Sequence, residues 1–210
     1  MLWAATQGDL EVRKRASGAL ALAGRFPYGK AAVLSDGGRT GRPRKEVIAP
    51  RAFSYRVERP EENIHFLVGH DYSKPISSRA AGSLKLTDGD DALTFEATIA
   101  PEIAETTWAR DALAAVSAGL MVGLSPGFRI PPKRAVKDAE TIEDEGHDPE
   151  NGAHNAIIRT VHAALLYELS IVTRPAYSEA QIEARSWAKT KGGAYTPDAG
   201  LVRTLNRWRA

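Results

Sequence analysis

The chain has 210 residues, 43% hydrophobic and 26% charged, with a formal net charge of +2 and a pI near 8.9, which fits one soluble domain and gives no nucleic-acid footprint, the basic residues being scattered among acids. The absence of cysteine excludes disulfides, thiolate catalysis and cysteine-based zinc sites. No apolar run approaches the roughly 20 residues that span a bilayer, and the opening MLWAATQGDLEVRKR lacks the order of a signal peptide, so a soluble, intracellular protein with no membrane partner is expected.

Residues 1–16 read as an N-terminal arm, 17–185 as the folded domain and 186–210 as a tail. GALALAGRFPYG reads as a strand with Leu20 and Leu22 on one face, and LSDGGRTGRPRK as a loop. EVIAPRAF is a short strand and turn; NIHFLVGH is a more apolar strand. SLKLTDGDDALTFEATI alternates on both sides of an Asp-Gly turn, the pattern of a β-hairpin. One helix follows: Pro101 near its start lacks an N–H that would have no partner there, and Glu102 and Glu105 suit the positive end of the dipole. Ala104, Trp108, Ala112 and Val116 mark its buried stripe, and Gly119 its stop.

LMVGLSPGFRI is a strand closed by Pro131 and Pro132. Residues 133–155 carry both charge signs densely and read as a mobile loop. AIIRTVHAALLYELSIV fits paired strands, and SEAQIEARSWAK a helix capped by Ser178. The whole is a mainly β domain with one or two helices, of the α+β class.

Two residues interrupt apolar strands in a chemically useful way. His70 ends the run Phe66-Leu67-Val68, and Ser125 lies between Gly123 and Gly127 with Pro126 fixing the chain behind it. A nucleophilic serine needs exposure, rigidity and close approach by substrate, and it needs a base such as neutral imidazole. Ser, Pro and Gly also build ordinary turns. Gly123-Leu124-Ser125-Pro126-Gly127 matches Gly-x-Ser-x-Gly in its letters, but no helix pattern follows, so it is not the nucleophile elbow of the α/β-hydrolases.

The imidazole needs an orienting third group, and three stand open. Asp71 adjoins His70, but neighbours on an extended chain face opposite ways. His162 and Glu168 would share a face if 162–172 were one strand, about 20 Å apart at roughly 3.3 Å per residue. Glu168 is the odder residue, a charge inside LLYELSIV that calls for a partner. Arg129, on the serine strand, could donate to an oxyanion. His147, His154, Asp144, Asp148 and Glu143 lack the tight spacing of metal ligands, so no metal or cofactor is expected.

The segments ALAGRF, EVIAPRAF, HFLVGHD, LKLTDGDDALTFEATI, an Ala-rich helix, GLSPGFRI and YELSIVTRPAY, in that order, resemble the prohead serine protease family of tailed bacteriophages, over roughly residues 18–185. The resemblance implies His70 as general base, Ser125 as nucleophile and Glu168 as third member. It also implies a herpesvirus-protease-like β-barrel surrounded by a few helices; that relationship keeps His162 as the alternative third member. Gly69 stands where asparagine is common, and Pro126 where a small apolar residue is usual. Pro126 has no N–H, so an oxyanion would need other N–H groups or Arg129.

The implied function is cleavage of the scaffold segment of the major capsid protein, or of a separate scaffold, and of the protease itself. It would take place in the host cytoplasm inside the assembling prohead, by a homodimer or higher oligomer. The alternatives from other classes are a catalytically inactive, scaffold-like capsid assembly protein and a small serine esterase.

Overall fold

Alternating apolar residues make the fold mainly β, with 47% of it in strands. The structure, a computed structural model, describes residues 11–14, 19–121, 123–148, 150, 152–173 and 175. One four-stranded sheet contains β1 (Glu11–Lys14), β2 (Leu20–Pro27), β8 (Ala92–Ile99) and β7 (Leu84–Asp88), in that order. A second contains β10 (Glu140–Asp144), β13 (Ile157–Val161), β4 (Arg44–Ile48) and β3 (Ala31–Ser35). The third, which carries the candidate site, runs β6 (Asp71–Ser78), β5 (His65–Val68), β14 (Leu165–Val172), β9 (Gly123–Arg129). β11 (His147–Asp148) and β12 (Ala153–His154) form a small ribbon.

All three large sheets contribute to one core. Leu22 and Phe95 come from the first, Ile48 and Val161 from the second, and Phe66, Leu169 and Ile171 from the third, all buried. Phe66 packs on Phe95 with ring centroids 4.7 Å apart, and Phe53 meets Phe128 edge-on at 5.6 Å. The expected β7–β8 hairpin forms, but Asp88 and Gly89 pair across it and Asp90 and Asp91 make the turn, with the Gly89 N–H donating to the Ala92 carbonyl at 3.0 Å.

Five expectations change. Among the described residues no closed barrel forms: each large sheet ends in two edge strands, whereas closure leaves none. The single helix is two, α2 (Pro101–Ala104) and α3 (Thr107–Ser117), and a one-turn helix, α1 (Ser54–Val57), precedes them. Thr106 is extended between them, and its hydroxyl donates to the Ile103 carbonyl at 2.7 Å. The buried face of α3 is Ala109, Ala112, Leu113 and Val116, and Gly119 beyond it is left-handed, with φ 72°.

β13 and β14 do not pair with each other. The chain crosses between sheets at 162–164, where the His162 and Ala163 N–H groups share the Ala139 carbonyl. Residues 133–155 are not a loop throughout, because β10 pairs antiparallel with β13. Cations from outside the segment partner its acids: Arg159 with Glu140 at 2.7 Å, Arg42 with Asp144 at 2.6 Å and Lys45 with Glu145 at 2.6 Å. Glu11–Lys14, assigned to the arm, pairs with β2. The SEAQIEARSWAK helix and the 186–210 tail lie outside the described residues.

One buried acid ties the hairpin to the rest. Asp88 at the end of β7 accepts from the Tyr28 hydroxyl, from the Phe53 N–H at 3.1 Å and from the Ser54 hydroxyl at 3.0 Å. Burial pushes both the Asp88 carboxyl and the Tyr28 phenol up. Asp88→Ala leaves these three donors without their acceptor and is expected to cost about 2–4 kcal/mol. Urea unfolding should show a lower midpoint with unchanged m.

Candidate active site

The site begins at a tight turn. β5 and β6 are joined by Gly69 and His70 alone, and Val68 pairs with Asp71 across them. Both turn residues have positive φ, 63° and 62°. This is the type I′ requirement, whose twist matches the strands it joins. Glycine takes that conformation freely; histidine is among the few side chains enriched there. The turn lifts the imidazole off the end of β5 towards β14.

β14 supplies the acid. Glu168 is buried to 3% exposure, yet both oxygens have donors. His70 Nδ1 lies 2.7 Å from Oε1, and the Ser170 hydroxyl donates to Oε2 at 2.6 Å. A carboxylate can only accept, so Nδ1 carries a proton, and in the neutral form of the ring the lone pair lies at Nε2. The imidazole is 45% exposed, so that lone pair is open to a reactant. Ser170 also accepts the His70 backbone N–H at 3.0 Å, fixing the turn to the same strand.

β9 supplies the serine. Ser125 pairs with Ser170 and Gly127 with Glu168, so these side chains share one face of the sheet. Gly127 is required by the carboxylate: a Cβ there would lie 1.8 Å from Glu168 Oε1. Ser125 is half-buried, and its hydroxyl makes no hydrogen bond with the described residues.

Backbone direction explains Pro126. The Gly69 N–H bonds the Ile171 carbonyl at 2.9 Å, so odd positions of β14 point their backbone groups at β5 and even ones at β9. Ser125 and Gly127 therefore spend their N–H groups on Ser170 and Glu168, while Pro126, opposite Leu169, has its missing N–H on the open edge. The strand tolerates the proline and has no backbone donor left at 125–127.

The remaining candidates fall as follows. Arg129 lies on the same face as Ser125 and Gly127, opposite Leu165, with its guanidinium over the Tyr167 ring at 5.5 Å. His162 lies in the crossover from the second sheet, bonded to Thr141 at 3.0 Å; the shared strand that would align it with Glu168 does not exist. Asp71 turns to Ser73 and Lys74. The Ser73 hydroxyl and N–H, then Lys74, lower its pKa to about 2.

Sequence reasoning did not weigh Ser170, whose hydroxyl looks unremarkable inside YELSIV, nor His65. His65 pairs with Glu168 from the other side, with its ring against Asn63 and Tyr72. The Tyr72 phenol is pushed up, first by burial and then by the Glu168 charge. Among the described residues no group of three or more acids and histidines is placed to hold a metal ion.

A mainly β fold with a carboxylate-held imidazole and, on the same sheet face, a serine whose hydroxyl has no partner among the described residues has the parts of a serine hydrolase. The family model for the caudovirus prohead serine protease matches residues 32–192, most of the chain. The chain belongs to that family, a family of phage capsid maturation proteases. No curated protein and no solved structure matches it.

Gly127→Ala tests the packing of the acid. The added methyl can be accommodated only by moving the Glu168 carboxylate, so the protein is expected to fold with a loss of about 1–2 kcal/mol. The catalytic rate should fall at least about 100-fold, since misplacement by 1 Å suffices for that. Thermal melts beside cleavage assays would separate the two effects.

Proposed function

We propose that the protein is a serine endopeptidase in which Ser125 is the nucleophile, His70 the general base and Glu168 the orienting acid. The observation that carries this is the 2.7 Å contact of His70 Nδ1 with Glu168 Oε1, on the sheet face that also holds Ser125. In the neutral ring this contact favours the tautomer that a base needs, with the lone pair at Nε2 of a half-exposed side chain.

In the reaction, Ser125 Oγ adds to the peptide carbonyl carbon while its proton passes to His70 Nε2. The imidazolium, held against Glu168, returns that proton to the departing amine. Water then attacks the acyl-serine ester by the same route in reverse, giving a free carboxylate and the original hydroxyl. Base assistance of this kind supplies about 10²–10⁴-fold, and oxyanion stabilisation a comparable share. Because residues 125–127 have no outward backbone N–H, we assign the oxyanion to Arg129, the guanidinium on the same strand and face.

The substrates that fit the family are the scaffold segment of the major capsid protein, or a separate scaffold, and the protease itself. Enclosure in the assembling prohead raises the effective concentration of both partners. Sites too weak to be cut in dilute solution are then cleaved.

The test incubates the wild type, Ser125→Ala and His70→Ala with the capsid precursor. Cleavage should fall by at least about 10³-fold in each variant, with unchanged circular dichroism. Wild-type rates in either variant would remove the proposed mechanism. Turnover of simple esters with no cutting of the precursor would instead make the protein an esterase.

A further inference from the structure

Two serines occupy one row of the third sheet, opposite each other on β9 and β14. Ser125 is half-buried and its hydroxyl has no partner among the described residues. Ser170 is fully buried and engaged twice. It donates to Glu168 Oε2 at 2.6 Å and accepts from the His70 N–H at 3.0 Å. A hydroxyl has one proton, and here the carboxylate holds it, so Ser170 is unavailable as a nucleophile.

We propose that Ser170 is a positioning residue, whose one hydroxyl locks the acid and the base of the site into register. The inference rests on the reading of Ser125, His70 and Glu168 as the reacting set. Glu168 reaches His70 with Oε1, and the terminal torsion of a glutamate is broad and two-fold. The bond at Oε2 removes that freedom and leaves Oε1 aimed at Nδ1. The bond to the His70 N–H acts at the other end of the same contact, on a histidine held at φ 62°. Gly127 clears the space above the carboxylate without directing it. Direction therefore comes from Ser170.

Ser170→Ala keeps the strand and removes both bonds. The rate constant kcat for precursor cleavage is expected to fall about 10–100-fold, with KM changed less than about threefold. Ser170→Thr, which restores the hydroxyl, should recover most of the loss. The second readout needs no catalysis: the downfield proton resonance of the carboxylate-bonded His70 Nδ1–H, assigned by its absence in His70→Ala. In Ser170→Ala it should shift or broaden away, and in Ser170→Thr return. If Ser170→Ala does not fold, Ser170→Cys replaces it, close in size and a weak donor, with the same two changes expected. A folded variant with the wild-type resonance and kcat within about twofold would overturn the proposal. Should the wild type itself fail to cut, the reading of its function falls, while the resonance still decides whether Ser170 sets the imidazole.

Discussion

The contact between Glu168 and His70 is the constraint around which the third sheet is arranged. A carboxylate at 3% exposure is costly unless its oxygens are hydrogen-bonded, with an uncompensated buried charge costing several kcal/mol. Each bond from a neutral donor to a charged acceptor returns about 1.5–3 kcal/mol. The two oxygens of Glu168 draw these from two places, the β5–β6 turn and its own strand. A third segment, β9, yields space through Gly127. Remove any one of the three, and a charge in the middle of the sheet loses a partner or gains a clash.

The irregularities of the sheet gather at the same place. Tyr167 is the extra residue of a bulge between the Leu166–Phe128 and Glu168–Gly127 pairs. The bulge lets Leu166, fully buried, and Glu168 belong to different surroundings although they are two positions apart. Tyr167 itself lies under two guanidinium groups, Arg56 at 4.2 Å and Arg129 at 5.5 Å. The left-handed histidine and the bulge each cost stability, about 1–2 kcal/mol for the histidine. The packing of Phe66, Leu169 and Ile171 on the opposite face offsets it. Strain is tolerable on the site face because β14 turns Leu166, Leu169 and Ile171, all fully buried, to the core.

Much of this is legible in the sequence because the proposed reacting groups break patterns. A charge inside LLYELSIV, a histidine ending FLV and a serine among glycines stand out from runs whose period is otherwise plain. Ser170 did not stand out, since a serine in a strand is chemically unremarkable until its neighbours in space are known. The crossover at 162–164 was hidden for a related reason: AIIRTVHAALLYELSIV is apolar throughout, and periodicity does not report which sheet a strand joins. The segment 133–155 was read from its charge density, but its cations lie far away in sequence, at Arg42 and Lys45. Thr106 interrupts a good helical stripe through one side-chain bond, below the resolution of a pattern.

The placement of the two serines also separates access from control. Ser170 sits on β14, with strands on both sides and no exposed surface, where a hydroxyl can organise others but cannot meet a substrate. Ser125 sits on β9, the edge, where an extended peptide can approach from outside the sheet. An open edge also invites pairing with any other strand, and a proline with its missing N–H turned outward is a standard way to blunt it. Pro126 thus guards the edge beside Ser125, the proposed nucleophile. In the proposed mechanism the same proline leaves no backbone donor beside Ser125, so protection of the edge and the assignment of the oxyanion to a side-chain cation follow from one residue.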